Sequence, residues 1–390
     1  MTPETVARLR AETPACRDVL HFNNAGSSLM PDPVWQAMTR YLEAERRMGG
    51  YEAEALNQPQ LNRFYTAFAA LIGADPEEIA YQENATRAWD MVFYGLRWQP
   101  GDEVIIHVSD YASNTLSMMQ MAARAGIVVL QCPSDAQGQI DVTALAAMIG
   151  ARTRLISLSH IPTQGGIVQP AAEVGRVARS AGVPYLLDAC QSLGQVVVNV
   201  DEIGCDFLSG TGRKFLRGPR GTGVLYVRKS AMELLDPPFV DGHAAAVVGD
   251  RIRWRQDARR FEAFEQNYAG KAGLAAAVDY AVSFGMPEIE ARLVGLAADL
   301  RRELNGLPGV TVHDQGLRKG GIVTFSKAGI QSADLSAQLQ ARGINTSVSR
   351  PHWAPLDFAA RGLPDMVRAS VHAYNSEDEA ARFVAATAAA

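Results

Sequence analysis

Two residues twenty-six positions apart form the most reactive combination in the chain. Lys214 stands in a glycine-rich run, Ser209-Gly-Thr-Gly-Arg-Lys-Phe-Leu-Arg-Gly-Pro-Arg-Gly-Thr-Gly223. A lysine desolvated in such a loop, with Arg213 and Arg217 beside it, is driven toward its neutral form, the nucleophile that condenses with a carbonyl to a Schiff base. Asp188 closes an apolar run, Pro184-Tyr-Leu-Leu-Asp188, where a buried carboxylate is costly unless it meets a cation or donors. A protonated pyridine nitrogen would be such a partner, and the ion pair would keep the ring an electron sink. Taken singly, Asp188 reads more readily as a strand-end cap and Lys214 as a solvated loop lysine; it is their combination that points to chemistry. Neither Gly-x-x-x-x-Gly-Lys-Ser/Thr nor a Gly-x-Gly-x-x-Gly turn between strand and helix is present, which argues against nucleotide chemistry.

These residues need a scaffold that presents strand ends. From about Gly101 short β-branched runs alternate with Ala-rich helical segments: Glu103–His107, Ile127–Leu130, Arg154–His160 and Val183–Asp188. Continuous apolar strands separated by helices predict an α/β fold, a mostly parallel central sheet with helices on both faces. Ligands of such sheets bind at the carboxyl ends of the strands, where Asp188 falls. After about Ala269 the pattern changes. Amphipathic helices are expected over Lys271–Phe284 and Glu288–Leu307, then strands Gly321–Phe325 and Met366–Val371 alternating with helices Ser332–Arg342 and Ser376–Ala388. The expected organisation is an N-terminal segment (1–30) packing on the small domain, a large domain (31–268) and a smaller α+β C-terminal domain (269–390).

Composition narrows the class. A net charge of −5 over 390 residues, with no run of Lys or Arg, lacks the electrostatic footprint of a nucleic-acid or anionic-membrane binder. Cys16, Cys132, Cys190 and Cys205 stand far apart with no C-x-x-C pair, so neither a metal site nor a disulfide framework is expected, and reduced thiols point to the cytoplasm. No uncharged apolar run is long enough to span a bilayer.

With these residues in order, the chain resembles the class V aminotransferase family of fold-type I pyridoxal 5'-phosphate (PLP) enzymes, which includes cysteine desulfurases, selenocysteine lyases, carbon-sulfur lyases and isopenicillin N epimerase-like proteins. The landmarks are Phe22-Asn-Asn-Ala-Gly26, Asn84-Ala-Thr86, Asp110-Tyr-Ala-Ser-Asn114, Ser159-His160, Asp188-Ala-Cys-Gln-Ser192, Lys214, Arg260-Phe-Glu262 and Val367-Arg-Ala-Ser370 with Tyr374-Asn375. The resemblance implies that Lys214 carries PLP as a Schiff base and moves the substrate's α-proton. It implies that Asp188 pairs with the pyridine nitrogen, Gln191 with the ring hydroxyl, and that Tyr111 stacks on the ring. The phosphate would rest on Ala85 and Thr86 at a helix N-terminus, completed by Ser209 and Arg213, with Thr163 near the cofactor. Arg368 would bind an α-amino acid's carboxylate, with Asn23 or Asn24 on its second oxygen, and His352 would face the substrate. A homodimer with shared active sites is also implied.

Two departures from the family pattern matter. Desulfurases carry a mobile cysteine that takes the sulfur as a persulfide; the matching stretch here is Ser349-Arg-Pro-His-Trp-Ala-Pro-Leu-Asp357, with His352 or Trp353 in its place. The expected activity is therefore a carbon-sulfur or carbon-selenium β-lyase without a persulfide cysteine, with an aminotransferase or amino-acid epimerase as alternatives. Phe264 and Glu265 replace a Gly-Thr pair whose threonine reaches the partner's phosphate in many relatives, so either Arg213 or Arg217 compensates or the contact is built differently.

Overall fold

The apolar runs become strands buried on both faces. Ile105, Ile156, Leu187 and Leu208 join the apolar core on one side, and their neighbours Val104, Leu155, Leu186 and Phe207 join the core on the other. That two-sided burial is why the runs are continuous rather than alternating. In the computed structural model, which describes residues 1–390, the strands form a seven-stranded sheet. Its spatial order is Ile79–Gln82, Gly223–Val227, Phe207–Thr211, Tyr185–Asp188, Thr153–Ser159, Glu103–His107 and Val128–Cys132. Six strands run in one direction and Gly223–Val227 runs against them. Parallel neighbours need crossovers, and Ala112–Ala125 and Ala171–Ala181 are helices of that kind.

The C-terminal part is a four-stranded antiparallel sheet, Val310–Val312, Ile322–Lys327, Met366–Ser370 and Ser347–Ser349, with helices Met286–Asn305, Ser332–Ala341 and Glu377–Ala388. The expected elements fall within a few residues of the observed ones. The first helix of this part starts earlier than expected, at Tyr268, because the Asn267 side chain accepts the Gly270 N–H and caps it. At the other end of the chain, Leu20–His21 pairs in parallel with Ile344–Asn345, and Leu9 packs with Tyr280, Met286 and Ile289.

Several elements have no counterpart in the sequence reading, among them the helices Asp32–Met48 and Gly50–Ile72 and a short hairpin. Ala245–Val248 and Arg251–Trp254 form an exposed hairpin turning at Gly249, whose φ of +63° suits glycine. Its strands, Ala-Ala-Val-Val and Arg-Ile-Arg-Trp, are four residues each, too short to give a clear periodic signal. No helix is long and apolar enough to cross a membrane.

Candidate active site

The sheet register assembles the centre of the site. Ser159, Asp188 and Ser209 are direct neighbours across three adjacent strands, near their carboxyl ends. Beyond that row opens a cleft of about 490 Å³, whose walls include Ala85, Thr86, Tyr111, Asp188, Arg213 and Lys214. Residues 85 to 214 are thus brought together by the sheet, as parallel topology requires.

Each wall has a local cause. Asn84, in extended conformation, accepts the Arg87 N–H at 2.9 Å and starts the helix Ala85–Gly95. Its first N–H groups remain free and the helix dipole adds positive potential, a setting for an anion. Gly223 lets the reversed strand approach: a Cβ there would lie 2.8 Å from the Asn84 carbonyl carbon and the Gly210 oxygen. The anion end also gathers Arg87, Arg213 and Arg220 on the cleft wall.

Asp188 is buried, and burial raises its pKa. Its Oδ1 accepts the Cys190 N–H at 2.9 Å and its Oδ2 accepts from Asn114 Nδ2 at 3.2 Å. Lys214 is equally buried; burial first, then Arg213 and Arg368, push its amine below the usual lysine range, with Cys190 and Asp188 pulling the other way. A carboxylate short of cationic charge therefore faces an amine held toward its nucleophilic form.

Arg368, on the strand Met366–Ser370, donates from Nε to Ser347 Oγ at 3.0 Å and from Nη1 to Thr163 Oγ1 at 2.6 Å and Thr163 O at 3.0 Å. Nη2 has no protein partner. Burial and Arg213 lower its pKa to about 10, which leaves it cationic through the neutral range. Gln191 Nε2 donates to Ala25 O at 3.1 Å and to Thr163 Oγ1 at 3.4 Å, so Thr163 bridges Gln191 and Arg368.

Several expected residues are placed elsewhere. Asn24 is fully buried, with Nδ2 donating to Ser370 O at 2.7 Å and Oδ1 accepting from the Tyr374 hydroxyl; its amide is committed to joining the N-terminal segment to the last strand and does not line the cleft. Ser209 lies under the wall, and Thr211, two residues further along the strand, reaches the cleft. His352 does not line the cleft: it packs on Trp353 at 4.2 Å, and Trp353 in turn lies nearly parallel to the cleft residue Tyr111 at 6.2 Å.

Arg217 does not compensate for the missing threonine. Its backbone is left-handed, φ 61°, the only non-glycine residue so placed, and this turns the side chain away from the cleft. There Nε donates to Leu29 O at 2.9 Å, Nη2 to Thr13 Oγ1, and the guanidinium lies 4.6 Å from the Tyr374 ring centroid. Arg217 pins the lysine loop to the N-terminal segment. Arg217→Ala is expected to destabilise the fold by about 3–5 kcal/mol, through a cavity and orphaned acceptors, while retaining PLP affinity in whatever folds; urea unfolding beside a PLP titration checks both halves.

Thr211, Arg220, Arg87, Asn114 and Cys190 line the cleft without having been assigned roles from sequence. Thr211 and Arg220 belong to the glycine-rich run 209–223, Asn114 to Asp110–Asn114 and Cys190 to Asp188–Ser192, where side-chain direction is not legible along the chain. The donor set suits PLP in kind: a cation-seeking carboxylate, a lysine amine, a basic helix terminus for phosphate, and buried Ser209 Oγ and Gln191 Oε1 without partners.

A sheet of this order with lysine and aspartate at its strand ends defines a fold-type I PLP-dependent enzyme. The sequence profile described as Aminotransferase class-V matches residues 20–383, and the chain belongs to that family. A probable cysteine desulfurase of Methanothermobacter thermautotrophicus is 30% identical over 95% of this chain and 94% of its own. The apo structure of a cysteine desulfurase from Thermococcus onnurineus superposes with a TM-score of 0.92 at 28% identity, covering 100% of this chain and 98% of its own. The cystine C-S lyase C-DES, solved with its reaction product cysteine persulfide, gives 0.87 at 26% identity over 96% of this chain and 99% of its own.

Proposed function

We propose that the chain is a β-lyase acting on the carbon-sulfur or carbon-selenium bond of an α-amino acid, without passing the sulfur to a cysteine of the small domain. The observation that carries this reading is that no cysteine follows Cys205, and the segment Ser349–Asp357, which the family resemblance aligns with the mobile thiol, offers His352 or Trp353 instead. The segment is tied down: buried Asp357 accepts from Gln164 Nε2 at 2.9 Å, and Trp353 stacks against Tyr111. The similarity to a cystine C-S lyase supports the same reaction class.

PLP, when bound, supplies an electron-withdrawing ring that stabilises negative charge at the substrate's Cα. This chain's residues do the rest. Ala85, Thr86 and Arg213 would hold the phosphate, Asp188 the ring nitrogen, Gln191 the ring hydroxyl, and Tyr111 one ring face. Arg368 would grip the substrate carboxylate through the free Nη2, which fixes Cα within reach of the Lys214 amine. Lys214 removes the α-proton, and the sulfur or selenium substituent leaves from Cβ with the electron pair of that bond.

Cys190 favours a second reading, desulfuration with the sulfur passed to its thiol, because it lines the cleft beside Lys214. Burial raises the Cys190 pKa and leaves the thiol a poor nucleophile. Incubation with cysteine, cystine and cysteine conjugates decides between them. Catalytic pyruvate and ammonia with unmodified Cys190 are expected; alanine formation with a sulfur atom added to Cys190 would establish the second reading. Stoichiometric pyridoxamine phosphate would make the chain an aminotransferase.

A further inference from the structure

The motif Asp110-Tyr-Ala-Ser-Asn114 has a use beyond the stacking tyrosine. Asn114, in the first turn of the helix Ala112–Ala125, stands between two buried carboxylates: its Nδ2 donates to Asp110 Oδ1 at 3.0 Å and to Asp188 Oδ2 at 3.2 Å. Both amide hydrogens are used, one on each acid. Asp110 Oδ1 is fixed further by the Tyr111 N–H at 2.8 Å and the Ser159 hydroxyl at 2.7 Å, and Ser159 is the strand neighbour of Asp188. Asp110 Oδ2 is buried with no partner at all.

This is a costly arrangement. No cation of the chain contacts Asp110: the charged and titratable groups around the pair are Tyr111, next to Asp110 in the chain, and Lys214 and Cys190, which act on Asp188. Burial pushes Asp110 up to about 6, with Asp188 adding to the rise. A carboxylate whose folded pKa exceeds its ordinary value is destabilising once ionised, so above pH 6 its charge works against folding. A helix cap alone would be served by a neutral side chain. A second negative charge behind Asp188 has a purpose if a cation sits in front of it.

Resting on the reading that the cleft holds PLP, we propose that Asp110 and Asn114 are positioning residues for the ring nitrogen. Asn114 clips the Asp188 carboxylate in its orientation and keeps the two acids apart. Asp110 adds negative potential behind it, so the ring nitrogen stays protonated and the ring remains a strong electron sink.

The test compares PLP with its 1-deaza analogue, which carries carbon in place of the ring nitrogen. The full-length chain, resolved of cofactor, is titrated with each compound as wild type, as Asp110→Asn, which is nearly isosteric, and as Asn114→Leu. The expected result is that Asp110→Asn weakens PLP about tenfold, one pKa unit of coupling, and leaves the deaza analogue unchanged. The same substitution should raise the melting temperature of the cofactor-free chain at pH 8. Asn114→Leu should weaken PLP further, again more than the analogue. Equal weakening of both compounds would reduce the pair to a structural role and overturn the proposal, as would unchanged PLP binding in Asp110→Asn. If wild type bound neither compound, the PLP reading itself would fall, and this inference with it.

Discussion

Lys214→Ala is expected to lower turnover by on the order of 10⁴-fold or more, the largest effect of any single substitution here. The lysine amine has two tasks in the proposed reaction, covalent attachment of the cofactor and movement of the α-proton, and alanine can do neither. Lys214→Arg should fare no better: a guanidinium stays protonated at any working pH and cannot serve as base or nucleophile. Lys214→Ala should not unfold the chain, because burying an unpaired amine already opposes folding. The check is steady-state pyruvate formation alongside the visible spectrum and a melting curve. Turnover retained in Lys214→Ala, with the fold intact, would remove Lys214 from the chemistry.

Arg368→Leu should rank second, with kcat/KM down about 10²- to 10³-fold, the equivalent of about 3–4 kcal/mol. The loss of a charge-assisted contact to a carboxylate accounts for part of this, and misplacement of Cα relative to Lys214 for the remainder. A substrate pair separates this role from general damage. A cysteine conjugate and its cysteamine counterpart differ only in the carboxylate. Wild type should discriminate strongly between them, and Arg368→Leu should lose most of that discrimination. Arg368→Lys should recover only a fraction, since an ammonium cannot keep the bonds to Ser347 and Thr163 while still presenting a donor to the substrate. Discrimination undiminished in the leucine variant would place the carboxylate elsewhere.

Much of this site is legible along the chain. The sheet's strands are short apolar runs, each followed closely by a polar residue, and Asp188 ends the strand Tyr185–Asp188. Asn84 before a helix and Lys214 after a strand are local signals of the same kind. What misled was direction. Ser209 and Thr211 project to the same side of one strand, yet only the second reaches the cleft, because depth below the sheet's edge is invisible in a two-residue period. Arg213 and Arg217 flank the same lysine, and one left-handed residue sends Arg217 to Thr13 and Leu29. Asn24 looked available because nothing in Phe22-Asn-Asn-Ala-Gly26 announces Ser370 and Tyr374 as its partners, some 350 positions away.

By itself, then, the sequence determined which groups exist and which strand or helix end each occupies, since propensity, apolar runs and caps act within a few residues. Tertiary structure alone decided which of those groups meet. The row Ser159–Asp188–Ser209 and the clip of Asn114 between Asp110 and Asp188 depend on the register of parallel strands and on one helix crossing their ends. Apart from the local Asn114–Asp110 bond, these contacts join residues 21 to 74 positions apart, beyond the range of any local signal, and burial then shifts the titration of both acids.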